Sequence, residues 1–536
     1  MANLAAMKRL YPVLLSLLSG FILSLAWPAA GFPALLFVAF IPLFYMEEQI
    51  SGRLAAVKIW ACSYLAFFTW NLLTTYWVYN SSPEGGYIAV IFNSLFMSWA
   101  YYLAYLTKTR LGEKHGAWAL ILYWITFEYW HLNWELSWPW LNLGNGFASY
   151  PEWIQWYEYT GTLGGSIWII LVNILLYRAI RHFSVPKAIS AGVFLIIPLS
   201  ISYIRYFTYE EEINPVKIAV IQPNIDPWNE KFEAGTQEEQ FIKLLRLAQT
   251  QKSENPDYFV FPETALPRSF WNFERDTLAD IQIMREFLKT SLKSKIVIGV
   301  SYLELFETQN PDTLPISASR FSRKPGSYYD DYNSAIQIDT SVHVPVYHKS
   351  KLVPGPESFP FAKYLKPYQE KLFGDLGGMI GNLGTQPERS VFSASDREDL
   401  AVGPIICYES IYGEFVSGYV NEGAGLLFII TNDGWWGNTP GYRQHFQYAR
   451  LRAIENRRSI ARSANTGISG FINQRGDVLK QTPYWEDAAI TETLNANSSL
   501  TFYAKNGDYL GRLSAFTGIL LLIYGFVKGF LKKRKS

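Results

Sequence analysis

Apolar and polar positions divide the chain into two textures. Up to about residue 206, long apolar runs are broken by short polar loops, and the same texture returns near the end. A membrane-crossing helix needs roughly 20 mostly apolar residues. Runs of about that length fall at 10–27, 30–46, 57–78, 86–106, 115–131, 162–180, 186–206 and 513–531. The first two are separated by Trp27-Pro28 and Gly31-Phe32-Pro33, a turn signal. A buried helix of a soluble protein explains one such run, but not seven in succession. The expectation is eight spans: 1–206 holds seven, 513–536 the eighth with a basic tail, and 207–512 lies between them.

From Val216 the pattern changes. Near-continuous apolar stretches at 216–225, 257–261, 295–302, 333–338, 344–353, 401–407, 425–431 and 467–473 read as strands. Stretches 237–251, 278–292 and 442–458 have helical spacing. Strands alternating with helices, several apolar on both faces, predict an α/β domain with a sheet covered by helices.

Charge sets the expected orientation. No Lys or Arg occurs between Arg9 and Arg53, Lys58 and Lys108, or Lys114 and Arg178. The basic residues therefore fall on alternate loops, at Lys8, Arg53, Lys108, Lys114, Arg178 and Lys187, and on the tail Lys532-Lys533-Arg534-Lys535. The positive-inside rule assigns these to the cytoplasm. Segment 207–512 then faces the periplasm of a bacterial inner membrane. The first apolar run has no Ala-x-Ala-like cleavage site and reads as retained.

Composition narrows the classes. Charged residues are 17% of the chain and hydrophobic residues 49%, against about 25% charged in soluble domains. Disorder is excluded. A net charge of +1 gives no global field for nucleic acid. Two cysteines, Cys62 and Cys407, exclude a disulfide scaffold, and the six histidines show no metal-ligand spacing, so no cofactor or metal is expected. Transporters bury ionisable groups in their spans; here the spans hold almost none toward their middles, with Glu128 toward the end of the fifth and Lys528 near the end of the eighth. A non-catalytic lipid-binding or transport protein is thus the weaker alternative. Trp134, Trp138, Trp140, Trp153 and Trp156 crowd the loop 131–161, as an aromatic belt or an acyl-chain access rim against membrane lipid.

Three polar residues sit at strand ends, where open α/β sheets place chemistry. Glu263 follows Tyr258–Phe261, Lys349 lies in 344–353, and Cys407 follows Gly403–Ile406. A thiol needs a base or a cation beside it to act as a nucleophile. Glu263 suits the base and a lysine the oxyanion stabiliser. Strand alternation puts Lys349 and Lys351 on one face, leaving both open for that role.

The runs F-P-E-T at 261–264, Y-x-K-x-x-L-V-P at 347–354 and C-Y-E at 407–409 resemble the carbon–nitrogen hydrolase (nitrilase) superfamily. With Asn432-Asp433-Gly434-Trp435-Trp436-Gly437 and the eight-span frame, the chain is similar to its membrane-embedded branch, the apolipoprotein N-acyltransferase family. The resemblance implies an α-β-β-α sandwich with a Glu-Lys-Cys triad: Glu263 as general base, Lys349 as oxyanion lysine and Cys407 as nucleophile. It implies supporting or substrate-binding roles for Glu357, Glu409, Asn333, Tyr408 and Trp435. It further implies a membrane phospholipid as acyl donor and a diacylated apolipoprotein as acceptor. A membrane-tethered amidase using water is the alternative within enzymes. Two positions depart from the family pattern: Gly355-Pro356 before Glu357, and Phe232 where the family has Trp.

Overall fold

The computed structural model describes residues 2–231, 233, 235–290, 293–308, 310, 313–315, 317, 319–320, 326–361, 364, 382–394 and 397–535. The chain forms two compact units. One comprises Met1–Tyr209, Thr439–Gln447 and Asn506–Ser536; the other comprises Glu210–Asn438 and Tyr448–Lys505.

The first unit is helical. Among the described residues, five helices are long and apolar enough to cross a membrane: Ala55–Thr75, Pro83–Leu111, Tyr157–Arg181, Val185–Thr208 and Tyr509–Leu531. Of the eight expected spans, five meet this measure of length and apolarity among the described residues. The run at 10–27 gives a shorter apolar helix, Leu10–Leu25. The run at 115–131 forms the helix Glu113–His131, whose charged and aromatic residues dilute its apolarity. The run at 30–46 is not one helix. It splits into a 3₁₀ turn, Pro33–Phe37, and a short helix, Ile41–Gln49, with Pro at the start of each. Breaking a helix frees backbone groups that lipid cannot satisfy. Buried Asn173 supplies the partners here: its Nδ2 donates to the Leu36 carbonyl at 2.7 Å, and its Oδ1 accepts from the Phe40 N–H at 2.9 Å. A second buried amide pair, Asn93 Nδ2 to Asn71 Oδ1 at 2.7 Å, joins Ala55–Thr75 to Pro83–Leu111.

Among the described residues, the second unit holds fourteen strands in two sheets. In chain order these are β1 Pro215–Gln222, β2 Tyr258–Val260, β3 Phe270–Trp271, β4 Lys295–Glu307, β5 Ser319–Arg320, β6 Ser327–Ile338, β7 Val346–His348, β8 Phe392–Ala394, β9 Arg397–Ile406, β10 Leu426–Thr431, β11 Ile460–Ala464, β12 Gly470–Ile472, β13 Val478–Gln481 and β14 Ala488–Asn495. The first sheet runs β14-β1-β2-β4-β6-β5, with β3 on β4 and β7 on β6; the second runs β13-β12-β11-β10-β9-β8. β1, β2 and β4 are parallel to one another, as are β9, β10 and β11.

Alternation assigns the faces. Ala219, Ile221, Phe259, Ile296 and Ile298 pack with Phe241, Leu244 and Ala248 of helix Gln237–Gln251 and with Ile281, Met284 and Leu288 of helix Ala279–Leu288. The intervening residues Ile218, Val220, Tyr258 and Val260 are equally buried. Tyr258 meets Phe428 of the second sheet edge-on, ring centroids 5.1 Å apart. Helix Gly413–Asn421 covers β9, where Gly403 leaves room for the Tyr419 ring. The layers are therefore helix, sheet, sheet, helix, and strands covered on both faces account for the unbroken apolar runs. The expected strand 344–353 is shorter than its pattern: pairing with β6 ends at His348, and Lys349 begins a loop.

Candidate active site

Glu263 lies three residues past β2, on a turn clamped to β4. The Gly299 N–H donates to the Pro262 carbonyl at 3.1 Å, and the Ala265 N–H to the Gly299 carbonyl at 2.8 Å. A Cβ on Gly299 would stand 2.6 Å from Glu263 Cα, so only glycine permits this approach. Lys349 is one residue beyond β7, and its N–H donates to the Asn333 carbonyl of β6 at 2.8 Å. Its side chain is wholly buried. Cys407 is the first residue of a 3₁₀ turn, Cys407–Ile411, directly after β9. Its φ of 50° is left-handed, a conformation costing an L-residue about 1–2 kcal/mol.

Four side chains form one connected cluster. Lys349 Nζ donates to Glu357 Oε1 at 2.8 Å and Glu263 Oε1 at 3.2 Å. Asn333 Nδ2 donates to the same two oxygens, at 3.2 Å and 2.7 Å. Glu357 is braced from behind by the Val353 N–H, 2.8 Å from its Oε2. Burial alone would lower the Lys349 ammonium, but Glu357, Glu263 and Cys407 outweigh it and hold it well above the usual lysine range.

Cys407 keeps part of its surface open, yet its surroundings exclude enough water that burial pushes the thiol up. Glu263 and Asp433 add to that push; Lys349 and the Thr431 hydroxyl oppose it. The resting group is a neutral thiol, electrostatically coupled to both Glu263 and Lys349. Ionisation therefore has to accompany attack, with a base receiving the proton.

Glu409 is fully buried and acts as a clasp. Its Oε2 accepts from the Ile406 N–H at 2.8 Å, and its Oε1 from the Ser350 N–H and the Tyr347 hydroxyl, both at 2.7 Å. One carboxylate thus ties the residue before Cys407 to the residue after Lys349. Burial raises its pKa, and these donors hold it back. Lys351 separates from Lys349: its ammonium lies 5.0 Å over the Tyr412 ring. The alternation argument that placed both lysines on one face fails because the strand has already ended.

Tyr408 is buried edge-on against Tyr412, centroids 5.4 Å apart, and Trp435 pairs edge-on with Trp228 at 5.0 Å. Tyr408 directly follows the cysteine in the chain, and the connected cluster is Glu263, Asn333, Lys349 and Glu357. Phe232 lies outside the described residues.

Sequence reasoning assigned no role to three groups. Asp433 and Arg462 form a fully buried ion pair, and Asp433 Oδ1 accepts from the Thr431 hydroxyl at 2.8 Å. The signal was an arginine inside the strand Ile460-Ala461-Arg462-Ser463-Ala464. The third, Lys231, is a buried lysine in an otherwise exposed-looking Asn-Glu-Lys run.

A cysteine on a strained post-strand turn, coupled to a carboxylate and an ammonium on a two-sheet sandwich, defines a carbon–nitrogen hydrolase domain. The family model for Carbon-nitrogen hydrolase matches residues 217–499, and that for the Apolipoprotein N-acyltransferase N-terminal domain matches residues 19–175. The apolipoprotein N-acyltransferase of Chlorobaculum tepidum is 30% identical over 96% of this chain and 96% of its own. That of Geobacter metallireducens is 30% identical over 92% and 91%. Among solved structures, an amidase from Nesterenkonia sp. is 14% identical over 56% of this chain and 95% of its own, with a TM-score of 0.35. The chain belongs to the apolipoprotein N-acyltransferase family, and it is an N-acyltransferase of the carbon–nitrogen hydrolase superfamily.

Proposed function

We propose that the protein moves a fatty acyl chain from a membrane phospholipid to the α-amine of the S-diacylglyceryl-cysteine at a lipoprotein N-terminus, through a thioester on Cys407. The observation that carries this reading is the Glu263–Lys349–Glu357–Asn333 cluster beside a neutral thiol. It provides a base, a fixed cation and a nucleophile.

Cys407 Sγ attacks the ester carbonyl of the phospholipid, and Glu263 takes the thiol proton. The Lys349 ammonium spends two N–H directions on carboxylates and turns the third to the oxyanion. The tetrahedral intermediate collapses, breaking the ester C–O bond. Glu263 returns its proton to the departing lysophospholipid, leaving a thioester. The neutral lipoprotein amine then attacks that thioester, Glu263 accepts an amine proton, and the thiolate leaves and is reprotonated. Two easier steps replace one hard one, with ping-pong kinetics. Glu409 and Asn333 position these groups; Tyr408 and Trp435 shape the surroundings.

Localisation follows the same reading. Segment 207–512 lies in the periplasm between seven inner-membrane passes in 1–206 and an eighth in 513–536. Both termini are cytoplasmic. The second pass is the broken pair Pro33–Phe37 and Ile41–Gln49. The alternation of basic loops supports this orientation.

Intact-mass measurement tests the chemistry. Purified protein with phospholipid should gain one fatty-acyl mass, removable by hydroxylamine, while Cys407→Ala gains none and Cys62→Ala behaves as wild type. A diacylated lipopeptide with a free amine should discharge the adduct and acquire the acyl mass. A blocked amine should leave the adduct standing. Discharge to water in both cases would make the protein a hydrolase instead.

A further inference from the structure

Lys231 is 8% exposed, an uncommon burial for a lysine, which costs free energy unless its charge is used. It sits on the segment between β1 and helix Gln237–Gln251. The Lys231 N–H donates to the Asp226 carbonyl at 2.9 Å, and Gln240 Nε2 donates to the Lys231 carbonyl at 3.2 Å. The backbone around it is thus built, and the side chain is delivered from a fixed base. Its Nζ donates to the Glu263 carbonyl at 3.2 Å and to Thr264 Oγ1 at 2.6 Å. Thr264 itself is left-handed, with φ 44°. The ammonium therefore grips the strained turn that presents the Glu263 carboxylate.

We propose that Lys231 is a positioning residue of the acyl-transfer site, pinning the Glu263–Thr264 turn and supplying a second positive charge, beyond Lys349, that eases negative charge onto Cys407. The idea rests on the acyl-transfer reading for its purpose, though not for its test. Its charge is coupled to both reacting groups. Burial pulls the Lys231 pKa down to about 8, and Glu263 and Cys407 pull it back up. Lys349, paired with Glu263 and Glu357, is the other cation of the site, and further charged groups lie on the segment of Lys231 itself. Asp226 receives the N–H of Trp228 and both nitrogens of Asn229, and Glu230 Oε2 receives the Asp226 N–H; Glu233 follows two residues on. From helix Gln237–Gln251 the facing group is neutral Gln240.

The sign follows. Below about pH 8 Lys231 is charged and favours the thiolate. Above that it becomes neutral, and the benefit disappears. A residue that only filled space would not show this pH dependence.

The test uses the full chain in detergent with Cys62→Ala, so that Cys407 is the single thiol, and follows its alkylation by iodoacetamide from pH 6 to 10. Lys231→Met should slow alkylation about tenfold at pH 7, the equivalent of one unit in thiol ionisation, with the two curves converging above about pH 9. Lys231→Gln keeps a donor for Thr264 and the Glu263 carbonyl but no charge, and should be slowed similarly at pH 7. Thermal unfolding identifies a variant that fails to fold, and the other then decides. Curves that superimpose, or that stay parallel at every pH, overturn the proposal. A wild-type rate for Lys231→Gln overturns the role of the charge. Phospholipid labelling run in parallel separates the two ideas: absence of an acyl adduct on the parent protein sinks the acyl-transfer reading, while the alkylation curves still decide Lys231.

Discussion

Lys349 and Lys351 are two residues apart, yet they meet different partners. The first is held between two carboxylates, and the second lies on the Tyr412 ring. Lys349→Ala should therefore lower the rate of thioester formation by about 10²–10³, or roughly 2.7–4 kcal/mol, the usual cost of an oxyanion donor. It also leaves Glu263 and Glu357 facing each other without their cation, so unfolding temperature must be measured beside activity. Lys351→Ala should retain most of the activity. Equal losses from two folded variants would remove the distinction. Sequence motifs made Glu263, Lys349, Cys407, Glu357 and Glu409 visible, because the chemistry fixes their residue types and spacing within short runs, whereas Asn333 came only with the family resemblance. Strand alternation alone left the lysine choice open, since it turns on where pairing with β6 stops, and only the motif resemblance pointed to Lys349. Lys231 and Arg462 stayed hidden for a different reason. Their partners, Glu263 and Thr264 for the one and Asp433 for the other, are 29 or more positions away in the chain.

At the scale of elements, the pattern of apolar runs located the central strands. β1, β2, β4 and β10 are covered on both faces and so read as continuous apolar stretches. The edges were less legible. β13 carries three exposed residues among its four, and β14 is mostly half-buried, so neither has a run to detect. What positions Glu263 is likewise an element property: β4 must approach the 262–265 turn closely enough to exchange backbone hydrogen bonds with it. Gly299→Ala inserts a methyl 2.5 Å from the Thr264 N and 2.6 Å from Glu263 Cα, distances that backbone cannot absorb without moving. The expected outcome is a folded protein, destabilised by about 1–3 kcal/mol as in other overpacked sites, whose thioester formation falls more than its thermal stability does. Normal acylation kinetics in Gly299→Ala would mean that the turn has freedom the hydrogen bonds do not suggest.

For the whole molecule, the parity of the passes decides orientation. With the amino terminus inside, eight passes return the tail Lys532-Lys533-Arg534-Lys535 to the cytoplasm, whereas seven leave four basic residues outside, against the positive-inside rule. In the proposed eight-pass topology, the second pass, on which this turns, is the least helix-like. Its 3₁₀ turn and short helix are joined through Asn173, and irregular backbone of this kind is tolerated in a membrane where protein supplies the hydrogen bonds. Length and apolarity could not reveal that arrangement, because the partner amide lies 133 and 137 positions away. Reporters decide it. A fusion at Gly31 should read periplasmic, one at Gly52 cytoplasmic, one at Ser341 periplasmic and one after Lys535 cytoplasmic. A periplasmic signal from Gly52 would turn the broken pair into a re-entrant segment. Every later pass would then reverse, placing Glu263, Lys349 and Cys407 on the cytoplasmic side unless another pass is also lost. Asn173→Leu offers an independent check on the same element: it strips the Leu36 carbonyl and Phe40 N–H of their partner, a loss of about 1–3 kcal/mol for each buried group left unsatisfied. The variant should show lower thermal stability, and the fusion at Gly52 should give a mixed signal, while alkylation of Cys407 in the fraction that remains folded stays at the parent rate.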